Sequence, residues 1–483
     1  MAEKIKGYTP SMIANSAIAV ALMLFFGMLP PFGPITPLGM QIVGIFLGAI
    51  WGWCLVDLVW PSILALILLG LSGYTTVIGA FGSLFSNQNV LIMLFFMIIA
   101  EMINRSGLGT FIAHKLLGLK FTQGRPWLFS LVLCYVAAIA TPLIQFVPAV
   151  LLCWGFLYNI CDAAGYEKGD KWPTLMVFGI IFSVSFSAAL VPTYPGVQVN
   201  IGMMQGAFPE IAFPYAPFEL LAVIVTFLTP ALYILACKYV LKADVSKLEN
   251  TDFSAFSESE NMTSTQKIVT VYFVALIACL LATSFVTTSM PILGILAQLG
   301  VLGVTVAFLV IGIVVHSEGK ALIDFNTMAS GGILWNVIIM LGTALTLASA
   351  LSSDATNVKM AMSQLLTPVL GNYSPYMFLL VFCIIAMVLT NLISNGVVSA
   401  IVFPLAFPFA QTIGFSPIAL TALIVFATSF AIMLPSASPV GAMLYSNNEW
   451  IKPKECVKLS LMCFVIMVFL MAVVLVPLSM VLF

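Results

Sequence analysis

The chain has 483 residues, of which 62% are hydrophobic and only 7% charged, with Lys+Arg 17 against Asp+Glu 18. A soluble domain carries about 25% charged residues, so this surface must face lipid; a soluble enzyme, a secreted disulfide scaffold and a disordered protein are excluded. The net charge of −1 leaves no basic footprint for nucleic acid.

Residues 1–10 are short and polar, with Lys4 and Lys6, and the apolar run 12–29 is too long for a signal-peptide core. It reads as a first span with the N-terminus cytoplasmic. A membrane helix needs about 20 apolar residues. That rule predicts spans at 12–30, 39–56, 58–76, 89–108, 172–205, 217–241, 267–288, 291–315, 333–352, 417–447 and 457–481, with 172–205 and 417–447 interrupted. The stretches 127–160 and 375–411 are too short for two crossings and a turn, which need roughly 40 residues. Each has a polar or helix-breaking middle, so both read as re-entrant hairpins, tolerated only where protein or a watery cavity surrounds them. The fold class is an all-α polytopic membrane protein of about eleven transmembrane helices plus two re-entrant helical hairpins. Tracing it puts sixteen Lys and Arg residues inside and only Lys359 outside, a strong positive-inside bias for the inner or plasma membrane, with the C-terminus outside.

The chain also repeats itself. Asn89-Val90-Leu91-Ile92-Met93-Leu94 recurs as Asn336-Val337-Ile338-Ile339-Met340-Leu341, 247 positions later. Phe182-Ser183-Val184-Ser185-Phe186 recurs as Phe426-Ala427-Thr428-Ser429-Phe430, and Pro195 as Pro439, both 244 later. The traced spans run in opposite directions, so the repeats are inverted, the pattern of a secondary transporter with its site at the repeat interface near the midplane. The predicted division is a tail and first span at 1–38, a first repeat at 39–243, a charged cytoplasmic linker at 244–266 and a second repeat at 267–483.

Charged groups offer little chemistry. Glu101 precedes Arg105 by four residues and reads as an i,i+4 pair. Glu219 begins a span at the outer boundary, and His114 and His316 lie at cytoplasmic ends. The nine cysteines form no C-x-x-C and lie mostly in apolar runs, which reads as buried thiols. No nucleophile with a base and no paired catalytic carboxylates appear, so the chain is not read as an enzyme. Gly44, Gly48 and Gly52 form a small-residue face for scaffold packing or a dimer contact, and Trp51, Trp53 and Trp60 fit an interfacial belt. Four broken stretches remain: Thr141-Pro142 with Gln145, Ser394-Asn395-Gly396, Pro192-Thr193-Tyr194-Pro195-Gly196, and Pro435-Ser436-Ala437-Ser438-Pro439-Val440-Gly441. A helix starting at mid-membrane presents free N–H groups to an anion, and one stopping there presents carbonyls to Na⁺. A simple kink is the plainer reading for any one break alone; four in matching positions point to a site.

Ser394-Asn395-Gly396 followed by Ala400-Ile401-Val402-Phe403-Pro404 resembles the Ser-Asn-Thr hairpin of the divalent anion/sodium symporter family, whose members transport dicarboxylates, citrate or sulfate. Phe430-Ala431-Ile432-Met433-Leu434-Pro435, with Ser438-Pro439 and Gly441, is similar to that family's unwound helix, and 91–116 and 335–351 look like its fourth and ninth spans. The resemblance covers roughly 39–483. It implies a homodimer with a fixed scaffold and an elevator-like transport domain. It also implies substrate contacts from Ser394, Asn395, Gly396, Ser438, Pro439 and Gly441, joined by Thr141, Pro142, Gln145, Thr193, Pro195 and Gly196 at the other breaks. Na⁺, the one implied coupling ion and no further cofactor, would be held by Ser394, Asn395, Ser436 and Ser438. The sequence departs from the pattern in ending its second motif on Gly396 and in lacking Ser-Asn-Thr in the first hairpin.

The expected function is secondary transport of small organic anions, di- or tricarboxylates, by Na⁺ symport or anion exchange. The expected partners are a small anionic solute, the lipid bilayer and a second copy of the chain. The alternatives are a superfamily transporter of sulfate, arsenite or another carboxylate, and a non-transport membrane protein on this fold.

Overall fold

The computed structural model describes residues 9–117, 124–249, 261–286, 290, 294–370 and 373–483. Lys4, Lys6 and the N-terminus, Lys120, and Asp252, Glu258 and Glu260 of the expected linker lie outside the described residues, as does the side chain of His114.

The described residues are all-α apart from one hairpin of two-residue strands, His316–Ser317 with Lys320–Ala321. The first half runs α1 (Pro10–Phe25), α2 (Pro37–Leu55), α3 (Val59–Leu71), α4 (Val77–Ser86), α5 (Gln88–Arg105), α6 (Leu108–Leu117), α7 (Pro126–Ile144), α8 (Phe146–Ala164), α9 (Lys171–Ser187), α10 (Pro195–Ala207) and α11 (Tyr215–Tyr239). The second runs α12 (Ser264–Ala282), α13 (Gly294–Val314), α14 (Phe325–Gly332), α15 (Trp335–Ser352), α16 (Val358–Leu370), α17 (Pro375–Leu389), α18 (Asn395–Ala406), α19 (Pro417–Thr428), α20 (Pro439–Ser446), α21 (Pro453–Leu470) and α22 (Val476–Leu482). From α2 onward the two halves show the same succession of elements: two helices, a short one, an 18-residue one (α5, α15), another short one, a hairpin pair, a broken pair and a closing helix. Starts follow local chemistry. Thr9, Thr36, Thr76, Thr263, Ser374 and Ser416 each accept an N–H bond from the first turn they cap. Proline opens α1, α2, α7, α10, α17, α19, α20 and α21, where its missing N–H costs nothing.

Among the described residues, 12 helices are long and apolar enough to cross a membrane. They include both arms of the first expected hairpin, of 19 residues each. At 1.5 Å per residue each arm reaches about 28 Å, so length does not exclude two crossings there: the arms join through Gln145 alone and spend no residues on a loop. Instead of one span at 58–76, the chain makes the 13-residue α3 and a separate α4. The other interruptions fall as expected, α9 giving way to α10 and α19 to α20.

The halves interlock. α10 of the first packs on α18 and α19 of the second, and α20 of the second packs on α8 and α9 of the first. At the centre lies α9, 94% buried along its span, whereas α12 and α13 are 22% buried and form the periphery. A helix apolar on every side needs such surroundings. Phe182 meets Phe186 and Phe430 edge to face, at 5.4 and 6.4 Å between ring centres, and the Tyr233 hydroxyl donates to the Leu175 carbonyl at 2.7 Å.

The glycine face of α2 packs inside the chain, Gly44 and Gly48 on α1 and the turn after it, and Gly52 on Pro61 of α3. A Cβ on Gly44 would lie 2.6 Å from Phe26 Cβ, and one on Gly48 2.5 Å from the Ala19 carbonyl. Trp53 is no belt residue either: it is buried and donates to Ser62 Oγ at 2.9 Å. The indole has its partner in the protein, so it has no need of the interface.

Candidate functional site

Four helices begin at one cavity of about 360 Å³. α7 ends where α8 starts, at Gln145, whose φ is 68° and ψ 172°. Its N–H donates to the Thr141 carbonyl at 2.8 Å and its carbonyl accepts from Ala149 N–H at 3.2 Å. The ladder of each arm therefore ends on this residue, and the chain reverses without a loop. Its side chain caps neither helix and lines the cavity beside Phe146, which packs edge to face on Tyr194 at 5.7 Å.

The second hairpin turns through 390–394. Thr390 Oγ1 donates to Asn395 Oδ1 at 2.7 Å. Asn391 donates to the Met387 and Phe430 carbonyls, at 2.7 and 2.8 Å, and its Oδ1 accepts from Met433 N–H at 2.8 Å. The tip is thereby pinned to the unwound stretch 429–438. Asn395 and Gly396 then open α18 into the cavity.

The break after α9 passes through a 3₁₀ turn at Ala188–Leu190 and restarts at Pro195. Gln198 Nε2 folds back to the Pro192 carbonyl at 2.8 Å, and Asn200 Nδ2 to the Gly196 carbonyl at 2.7 Å. The break after α19 restarts at Pro439. Ser438 Oγ donates to the Ala431 carbonyl at 2.6 Å and accepts from Gly441 N–H at 3.0 Å. A Cβ on Gly441 would come 2.8 Å from the Leu434 carbonyl, so only glycine fits this approach. At the cavity wall a bond crosses between the halves: Ser399 Oγ donates to Asn200 Oδ1 at 2.9 Å.

Among the described residues, no charged side chain lines this cavity. What converges on it are first turns: Phe146 and Val147 of α8, Gly196 and Val197 of α10, Asn395 and Gly396 of α18, Pro439 and Val440 of α20. The first N–H groups of a helix have no intrahelical acceptor and carry the positive end of its dipole. Side chains leave three of these starts uncapped, since Gln145, Tyr194 and Ser394 make no capping bond; Ser438 caps the fourth. Such an arrangement binds an anion without a fixed cation.

Of the residues singled out in the sequence, Gln145, Gly196, Asn395, Gly396, Ser438 and Pro439 line the cavity. Thr141 is buried behind it, donating to the Ala137 carbonyl at 2.8 Å, with Pro142 beside it in α7. Thr193 is buried with no partner for its hydroxyl among the described residues. Pro195 opens α10, Ser394 is the exposed N-cap of α18, and Gly441 lies in the first turn of α20; none of the three lines the cavity. Ser436 is exposed and outside it. Also lining it, though not among the expected contact residues, are Ser185, Tyr194, Asn200, Ser399, Thr428 and Ser429. A signal existed for four of them: Tyr194 lies in one of the four breaks, and Ser185, Thr428 and Ser429 are, with Ser183, the polar members of the repeated Phe-x-x-Ser-Phe motif.

Elsewhere, Arg105 Nε meets Glu101 Oε1 at 2.6 Å as the expected i,i+4 pair. Glu219 lies in α11, outside the cavity. Among the described residues no three His, Cys, Asp or Glu side chains gather to hold a metal.

A family model described as citrate transporter (CitMHS) matches residues 46–305, just over half of the chain. Two solved structures share the fold across nearly the whole length. The YdaH transporter of Alcanivorax borkumensis is 12% identical, covering 96% of this chain and 97% of its own, with a TM-score of 0.57. MtrF of Neisseria gonorrhoeae, described with a class of antimetabolite efflux pumps, is 14% identical, covering 98% and 95%, with a TM-score of 0.57. A comparison with curated proteins finds no match.

Proposed function

The chain belongs to the citrate transporter family, and on that premise we propose that this membrane transporter carries small organic anions, di- or tricarboxylates, through the cavity at the two hairpin tips. The observation that carries the reading is the meeting of four helix N-termini on an uncharged pocket. A carboxylate there accepts backbone N–H bonds, while the amides of Gln145 and Asn395 orient it.

The pocket's neutrality bears on coupling. A dianion or trianion taken into low dielectric without countercharge is strongly disfavoured. Cations must enter with it, or another anion must leave as it enters. Na⁺ is the coupling ion we propose, as an oxygen-seeking cation suited to hydroxyls, amides and carbonyls. The residues expected for it are Ser394, Asn395, Ser436 and Ser438. Ser394 and Asn395 sit together at the tip, but Ser438 Oγ is engaged with Ala431 and Gly441, and Ser436 is exposed. The ion's ligands are therefore proposed to be Asn395 and Ser394 with carbonyls of the unwound stretch 429–438.

We further propose an elevator motion, in which the hairpins and broken spans carry the cavity past α2 and the peripheral helices. Two copies would associate through the fixed part. Neutrality also favours a second reading: a solute of lower charge, such as arsenite, would need no cation.

The test is uptake of labelled citrate and of succinate into liposomes holding the purified protein, with and without an inward Na⁺ gradient, and with unlabelled anion inside. Na⁺-dependent uptake supports symport, and uptake only against internal anion supports exchange. Asn395→Ala is expected to lower uptake at least about tenfold. No uptake of either anion under any condition would overturn the carboxylate assignment.

A further inference from the structure

A second cavity of about 360 Å³ lies on two of the four helices that begin at the first. α10 and α18 reach the anion pocket with their first turns and this cavity with later residues, Met203 and Ala207 on one side and Phe403 on the other, with Phe208 just beyond the end of α10. α2 closes it with Phe46, and α15 and α16 complete it. Its wall is apolar except for Ser352 and Lys359. Water has few polar partners in such a space, which disfavours a hydrated solute. A wall residue of α2, Leu47, is 37% exposed on the outer surface of a spanning helix, so the cavity adjoins the bilayer.

Lys359 stands at its rim. Its Nζ lies 5.7 Å from the centre of the Phe208 ring. No described carboxylate pairs with it, although Asp354 lies five residues earlier and is exposed. A lone cation beside an apolar slot complements an anionic headgroup with its hydrocarbon tail.

We propose that this cavity holds an acyl chain of an anionic phospholipid from the surrounding bilayer, with the lipid phosphate at Lys359. The chain packs between α2 and the α10–α18 pair, behind the Ser399–Asn200 bond that joins that pair. Lipid occupancy therefore bears on the spacing of the two helices whose N-termini receive the solute. Lipid binding itself requires nothing of the solute, so its test stands or falls apart from the carboxylate assignment.

The experiment is native mass spectrometry of the full-length, delipidated protein titrated with phosphatidylglycerol, and separately with phosphatidylcholine of the same tails. Wild type is expected to retain one phosphatidylglycerol per chain and to prefer it about fivefold, the factor matching about 1 kcal/mol per basic residue at an anionic lipid. Lys359→Gln is expected to keep the lipid and lose the preference. Ala207→Phe, which fills the cavity from α10, is expected to lose the lipid; Ala348→Leu fills it from α15 should the first variant fail to fold. Thermal stabilisation by glycerol 3-phosphate equal to that by the phospholipid would assign the site to a soluble phosphate ester and overturn the proposal. Equal retention of both lipids by wild type, or undiminished retention by the filled variants, would overturn it as well.

Discussion

Gln145 holds a backbone conformation, φ 68° and ψ 172°, that is essentially reserved for glycine. Holding a side chain there costs about 1–3 kcal/mol, and such strain gathers at binding sites. Gln145→Gly is therefore expected to raise resistance to unfolding in detergent by about 1 kcal/mol while lowering uptake, since the amide at the tip is lost. A fall in both would mean that the side chain supports the fold. The Ser399–Asn200 bond is the other residue-level link. A double-mutant cycle of Ser399→Ala and Asn200→Ala should give a coupling energy of about 1 kcal/mol; additive effects would mean that the bond does not form in the membrane. Gln145 was legible in the sequence as a polar residue in an apolar run beside a proline. Asn200 and Ser399 were not, because each sits inside a helix and matters through a partner 199 residues away.

At the scale of elements, starts and stops were readable because they are local: a threonine or serine cap, a proline in the first turn, a polar break. The broken spans α9–α10 and α19–α20 fall where Pro195 and Pro439 place them. Reading α7 and α8 as re-entrant from length alone supposes that a turn needs residues, and a single residue at positive φ needs none. The glycines of α2 were legible as a packing face, but their partner was open between scaffold and second copy. A Cβ on Gly48 would stand 2.4 Å from Met23 Cγ and 2.5 Å from the Ala19 carbonyl of α1. Gly48→Val should thus destabilise the chain by about 1–3 kcal/mol through overpacking, without changing its oligomeric state. A dissociated dimer with an unchanged unfolding midpoint would reassign the face to the partner.

At the scale of the whole molecule, the uncharged pocket predicts that uptake of a dianion will be saturable in Na⁺ under symport. Replacing Na⁺ by choline should then abolish net uptake while leaving anion exchange possible. A dimer with a fixed interface predicts a particle mass, after subtraction of detergent, of twice the 52.0 kDa chain; a monomer would remove the fixed-scaffold proposal. The sequence by itself determined the environment, the helices and the four breaks. Charge density, apolar run length and proline position act locally, and each is readable from a few neighbouring residues. Only the tertiary structure decided that the four breaks share one cavity, that α10 and α20 each pack into the opposite half, and that Ser185 and Ser429 face inward while Ser436 faces out. The apolar periodicity is too weak to orient these helices, because lipid and protein core are equally apolar. Which face of a helix meets solute is set by the neighbours it packs against.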